Sequence, residues 1–245
     1  MRRSNMYQQI LEKKLILDSR KPYSTEVRKQ IKEMGRCDLI YTSLHLDGSP
    51  IKKEQLQRIL QGDVVPEVTL NDHVAIERYL DTLTLMENLM GMESDVSLKV
   101  IEELHGMSCG TDRTVWRKSN PILYTLDYNP PHWQEIREKM EQFIKWSYQA
   151  EEKLAGNILL KAAYLHHKMI EIYPFEQNSE STARLVLYYS LLRDGYPIFE
   201  LRLSESEYNT SIIEYLKHKN IEPFYKAVER GIFNKLDVLL QMTEE

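Results

Sequence analysis

The chain has 245 residues and a formal net charge of −5, which leaves no basic face of the kind nucleic-acid binding needs. Its length fits one large domain, and no Pro/Gly/Ser-rich linker, repeat or low-complexity tract divides it. Only nine glycines, with many Leu, Glu, Lys and Met, point to an all-α protein, and no run of eighteen apolar residues exists to cross a membrane as a helix.

In chain order, hydrophobic periodicity predicts helices at 5–18, 25–34, 37–46, 52–62, 72–92, 97–106, 132–149, 151–172, 180–194, 205–218 and 222–241. The N-terminus is basic, but Gln, Glu and Lys interrupt its apolar residues, so no signal-peptide core is present and a cytoplasmic location is expected. Cys37 and Cys109 lack the spacing of a metal or redox pair and are expected to be reduced thiols. Asn71 is the expected N-cap of the helix at 72–92, with Val74, Leu80, Leu83 and Leu89 on its apolar side. The one strand-like stretch is Thr114-Val115-Trp116 and Ile122-Leu123-Tyr124, with Asn120-Pro121 near a turn, which predicts a small hairpin. Ser204 and Glu207 have the spacing of a capping box.

The segment from Ala162 to Pro197 carries the most information. Leu159, Ala162, Ala163, His166 and Ile170 mark one helix face, and Pro174 stops that helix at Tyr173. Asn178, Ser179 and Ser181 are residues that cap a new helix, whose inner face is Leu185, Tyr188, Tyr189 and Leu192. Gly195 and Pro197 end it. A helix, a short polar loop and a second helix N-terminus form an anion-binding layout built from backbone N–H groups.

This layout resembles the signature region of the Fic (Fido) family, whose motif reads His-Pro-Phe-x-Asp/Glu-Gly-Asn-Gly-Arg-x-x-Arg. The aligned residues here, Tyr173 to Arg184, read Tyr-Pro-Phe-Glu-Gln-Asn-Ser-Glu-Ser-Thr-Ala-Arg. Ala162 and His166 match an upstream Ala-x-x-x-His, and Leu191 to Pro197 match a following Leu-x-x-x-Gly-Tyr-Pro. Trp116 to Tyr124, with Arg117, Ile122, Leu123 and Tyr124, looks like the family's substrate-binding flap. Pro130-Pro131 and the amphipathic helix ending near Trp146 look like the family's next helix. Ser43 to Gly48, with Asp47 for Glu, resembles the family's inhibitory motif. The match covers roughly residues 40 to 235. It implies an all-α, Fic-type helical bundle with one small β-hairpin flap. An N-terminal helical extension would occupy 1–35 and a Fic-like domain 36–245, with the inhibitory-motif helix near 37–48 and the core at about 95–235.

The family transfers AMP from ATP, with Mg²⁺, to a protein hydroxyl, and the resemblance assigns roles residue by residue. Tyr173 holds the place of the base, yet an unperturbed phenol has a pKa of about 10 and is a poor base at pH 7. Gln177 replaces the acidic metal ligand, and a neutral amide binds a hard cation weakly. The loop Phe175, Gln177, Asn178, Ser179, Glu180 and Ser181 has lost both motif glycines and places a carboxylate where phosphates would lie. Ser181 replaces the first arginine; Arg184 keeps the second, which in the family meets either the nucleotide or the inhibitory acid, so Asp47 is its expected partner. Glu102 with His105, and His167 with Glu171, are isolated pairs expected to be solvated or polar core groups, so no metal site is expected.

These residues leave three readings open. The first is a Fic-fold protein without the family's usual AMP transfer, with no cofactor, acting by protein or residual nucleotide binding. In it a protein target docks on the flap by strand addition, and nucleic acid and membrane are excluded. The second is an active adenylyltransferase, or a related nucleotidyl or phosphoryl transferase, with a rebuilt site using ATP and Mg²⁺. The third is a structural helical module with a closed pocket. Homo-oligomerisation is compatible with each.

Overall fold

A computed structural model describes residues 5–92, 94–111 and 116–244. At its centre stand two consecutive helices, α7 (Ile158–Ile172) and α8 (Ser179–Arg193), joined by the loop at 173–178. Every residue of α8 from Ser181 to Leu191 is buried, the mark of a helix enclosed on all sides. That differs from the one inner face expected, because neighbours cover α8 all round. Gly195, at φ +75°, closes it: Gly195 N donates to Leu192 O and Tyr196 N to Leu191 O.

The remaining helices surround this pair. They are α1 (Asn5–Ser19), α2 (Thr25–Leu46), α3 (Lys53–Leu60), α4 (Leu70–Gly91), α5 (Leu98–Cys109), α6 (Ile136–Lys153), α9 (Glu205–His218) and α10 (Glu222–Met242). α6, α9 and α10 pack on α7, α5 packs on α8, α4 on α5, and α2 on α4 and α9. α1 buries Tyr7, Ile10 and Leu17 and lies along α10.

Several expectations are corrected here. The helices expected at 25–34 and 37–46 are one helix, α2, so the boundary drawn at 35/36 falls inside it. Gly35 does not break α2; its missing side chain admits Ile198, whose Cβ would lie 3.4 Å from an added Cβ. The helix expected at 151–172 starts only at Ile158, after Ala155 and Gly156 take positive φ. Asn157 caps it by accepting from Leu160 N at 3.0 Å. The cap of α4 is Thr69 rather than Asn71: Thr69 Oγ1 accepts from Asp72 N at 3.1 Å and donates to the Asp72 carboxylate at 2.6 Å. Its buried stripe is Ile76, Tyr79, Leu83, Met86 and Leu89, while Val74 is exposed. The Ser204–Glu207 capping box forms as its spacing predicts.

The expected hairpin does not form among the described residues; Thr114 and Val115 lie outside them. Trp116 instead makes an antiparallel bridge to Phe175, and Leu123 makes one to Tyr128 around a 3₁₀ turn at Tyr124–Leu126. Pro121 has no N–H to offer a partner strand, and the Asn120 side chain is held by Trp133 N at 2.8 Å. No helix among the described residues is long and apolar enough to cross a membrane.

Candidate functional site

The loop between α7 and α8 is built by its own short polar residues. Tyr173 turns the chain out of α7 at φ +48°, and Pro174 prevents its continuation. Phe175 N donates to Ser179 Oγ at 2.9 Å, which pins the loop to the first residue of α8. Asn178 adopts φ +56°, a region asparagine tolerates better than most residues. Of the three expected caps none caps by its side chain in the usual way. Asn178 Nδ2 donates to Cys109 Sγ at 3.2 Å, Ser179 serves Phe175, and Ser181 Oγ donates to Asp47 Oδ2 at 3.0 Å.

Two buried groups hold this loop from the flap side. The Phe175 ring lies against His105, stacked at 3.9 Å between centroids, and against Trp116 at 5.3 Å. His105 Nε2 donates to Gln177 O at 3.1 Å, while Trp116 Nε1 donates to Glu102 Oε1 at 3.0 Å. Arg117 is almost wholly buried and bonds five carbonyl oxygens. Its Nε donates to Tyr173 O at 2.6 Å, its Nη1 to Ser119 O at 2.8 Å and Asn120 Oδ1 at 3.5 Å, and its Nη2 to Ile172 O at 3.3 Å and to Pro131 O. A cation at the last carbonyls of α7 also meets the negative end of the helix dipole. Of the other flap residues named from sequence, Ile122 and Tyr124 are exposed. Leu123 is partly buried against the core.

On the opposite side, the end of α2 reaches the start of α8. Asp47 is the C-cap residue of α2, and Gly48 follows at φ +82°. Gly48 N donates to His45 O at 3.1 Å and Ser49 N to Leu44 O at 2.9 Å, a Schellman closure that sets the direction of Asp47. Asp47 Oδ1 accepts from Arg184 Nη2, and Asp47 Oδ2 accepts from Ser181 Oγ and, at 3.4 Å, from Tyr79 OH. Arg184 is fully buried, whereas the Asp47 side chain is 38% exposed. Burial works against the guanidinium charge, but the Asp47 carboxylate, together with Tyr208 and Tyr79, more than offsets it and holds the Arg184 pKa well above its ordinary value. Ser43 contributes through its backbone: its carbonyl lies 3.5 Å from Arg184 Nη2.

Behind Arg184 runs a buried chain of hydrogen bonds whose direction can be assigned. Ser211 O can only accept, so His167 Nε2 carries a hydrogen and donates to it at 3.3 Å. His167 Nδ1 must then accept from His166 Nδ1 at 2.9 Å, and His166 Nε2 accepts from Tyr208 OH at 2.9 Å. The Tyr208 oxygen in turn accepts from Arg184 Nη1 at 3.3 Å. Both histidines are neutral in this arrangement. Burial pushes His166 well below its ordinary pKa, with His167 and Arg184 adding to it, and pushes His167 down to about 3.

Acidic groups gather beside the loop at the start of α8. Burial, with Glu180 and Asp47 nearby, pushes the Tyr173 phenol up to about 12. Glu180, in the first turn of α8, is itself raised by burial and by Asp47 and Glu205, against the pull of Arg184. Gln177 is exposed, and the Glu176 carboxylate turns to the flap, accepting from Lys118 N and Ser119 Oγ at 3.4 Å each. Sequence alone does not mark Tyr79 or Tyr208, which reach Asp47 and Arg184 from α4 and α9. It marks His105 only as half of a pair with Glu102, whereas the two hold separate partners in the loop and the flap.

Residues 95–191 match the model of the Fic/DOC family. Among curated proteins, the chain is 24% identical over 242 residues to a protein adenylyltransferase Fic of Nematostella vectensis, covering 97% of this chain and 56% of the relative. It is 24% identical over 214 residues to protein adenylyltransferase fic-1 of Caenorhabditis elegans, covering 85% and 42%. The chain thus spans about half the length of the curated relatives it matches. Among solved structures, a Fic-domain-containing signalling protein of Bacteroides thetaiotaomicron superposes with a TM-score of 0.80 at 18% identity, covering 98% of both chains. Fic-1 of C. elegans superposes with a TM-score of 0.79 at 20% identity, covering 96% of this chain and 71% of that one. The bundle and the α7–α8 hairpin with its loop agree with these matches: the chain has the fold of Fic-domain proteins, and its residues 95–191 are similar to the Fic/DOC family.

Proposed function

We propose that this chain is a Fic-fold protein that does not transfer AMP by the family's usual route and that acts by binding a protein, or a residual nucleotide, at the flap and loop. The observation that carries this reading is Tyr173. It stands where the family places its base, and with a pKa of about 12 only about one molecule in a hundred thousand bears phenolate at pH 7. A missing general base costs roughly 10²–10⁴ in rate.

The fit to ATP and Mg²⁺ supports the same reading. Gln177 offers a neutral amide, Glu176 is engaged by the flap, and no group of three His, Cys, Asp or Glu side chains capable of holding a metal exists among the described residues. These donors do not fit a Mg²⁺ ion held by the protein. Phosphates in the loop would meet Glu180 and Asp47, while the guanidinium of Arg184 is already committed. The exposed Ile122 and Tyr124 give the flap a surface on which a protein segment can dock.

Thermal unfolding with ATP tests this. A nucleotide at a hundred times its Kd adds about 2.7 kcal/mol of stability. The expected result is a small shift, or none, that is the same with and without Mg²⁺. A large shift that requires Mg²⁺ contradicts the reading and favours a working transferase.

A further inference from the structure

An open groove of about 330 Å³ lies between α6 and α7, with Pro131 among its lining residues. Phe143 and Trp146 form its apolar wall, and Lys139 and Lys168 line it as well. Both lysines are half-buried, and neither forms an ion pair with a described residue. The carboxylate in the groove, Glu171, is already engaged: Oε1 accepts from Lys219 Nζ at 2.8 Å and Oε2 from Tyr215 OH at 3.0 Å. Lys168 Nζ sits 4.7 Å from the Trp146 ring centroid, an attraction that offsets only part of the cost of a half-buried cation. Burial accordingly pushes the Lys168 pKa down; Glu171 pulls against this, and Lys219 and Lys153 add to it. Unpaired cations beside an aromatic wall in a groove are a binding-site arrangement rather than a packing one.

We propose that this groove receives an acidic side chain from a partner protein's segment, with its carboxylate between Lys139 and Lys168 and a neighbouring apolar side chain on Phe143 and Trp146. The occupant is an acidic peptide because the unmet charge is positive and the wall is apolar. Continuity with the flap gives it a path. Pro131 lines the groove, and its carbonyl is bonded by Arg117, the residue that staples the flap to α7. A segment lying over the exposed Ile122 and Tyr124 therefore runs on toward Lys139. The proposal rests on the protein-binding reading above and names the chemistry of the partner.

The test is fluorescence anisotropy of the full chain with a fluorescein-labelled peptide of alternating Glu and Phe, beside the same peptide with Gln for Glu. The Glu peptide is expected to bind at least tenfold more tightly than the Gln peptide, with a salt-dependent Kd. Lys139→Gln with Lys168→Gln is expected to weaken it at least tenfold. Lys139→Gln alone, at a surface position of α6, is expected to weaken it at least threefold, which keeps the test valid if the double variant is unfolded. Lys29→Gln with Lys52→Gln removes the same charge elsewhere and is expected to leave binding unchanged. Equal affinity for the two peptides, or equal loss in the two double variants, overturns the proposal. Ile122→Ala with Tyr124→Ala reports on the flap separately: the short peptide keeps its affinity if the groove holds it, and losing it there overturns the assignment to the groove.

Discussion

Removing the Asp47 carboxylate leaves the Arg184 guanidinium fully buried with, among the described residues, only neutral acceptors, Ser43 O, Ser181 Oγ and Tyr208 OH. An exposed ion pair is worth about 0–1 kcal/mol, and breaking a fully buried one costs about 3–5 kcal/mol. Because one partner is buried and the other is 38% exposed, Asp47→Ala is expected to cost about 2 kcal/mol, between those limits. Urea unfolding measures it, and a double-mutant cycle with Arg184→Ala isolates the contact. A coupling indistinguishable from zero would show that the two side chains do not meet in solution. Tyr208 holds the other edge of the guanidinium, so Arg184 is oriented from the core as well as from α2.

At the scale of elements, the end of α2 depends on one backbone conformation. Gly48 sits at φ +82° with no described residue within 4 Å of an added Cβ, so Gly48→Ala adds conformational strain and little else. It is expected to cost about 1–2 kcal/mol, read by urea unfolding, and a neutral effect would mean that the closure of α2 is not held as described. The α7–α9 contact makes a separate prediction through pH. His167 has a folded pKa of about 3 against about 6.5 when unfolded, so the unfolded chain binds more protons between these values and stability falls as pH drops below 6.5. At pH 5 His167 alone accounts for a loss of about 2 kcal/mol, and His166 acts in the same direction. Glu180, whose pKa is raised on folding, runs the other way: its cost is present at neutral pH and eases as pH falls. Burial also lowers His105 and raises Asp194, so three histidines stand against two carboxylates, and a net loss is predicted between pH 7 and pH 5. Unchanged urea midpoints across that range would mean that the histidines are not buried neutral.

Across the whole molecule, what the sequence made legible followed the physical range of each signal. Helix periodicity and the Ser204–Glu207 box are local and could be read from a few residues. The long α2 could not, because Gly35 reads as a breaker until Ile198, far along the chain, is seen filling its empty side. The flap could not either: its pairing partner is Phe175 in another loop, and Arg117, the residue that holds it, acts through carbonyls that have no sequence signature. Asp47 and Arg184 were linked through the family resemblance; their spacing of 137 positions carries no local signal. Tyr79 and Tyr208, which complete that cluster, carry no mark in the sequence, because each is set beside it only by the packing of α4 and α9.

That the site does not carry out the family's usual chemistry is tested most directly by AMP transfer itself. The chain, and its Tyr173→Phe variant, are incubated with α-labelled ATP, Mg²⁺ or Mn²⁺, and a cell lysate as acceptor. The expected result is no labelling above background, the same for both proteins. Robust labelling by the chain that disappears in Tyr173→Phe would contradict it and make Tyr173 the working base of an active transferase.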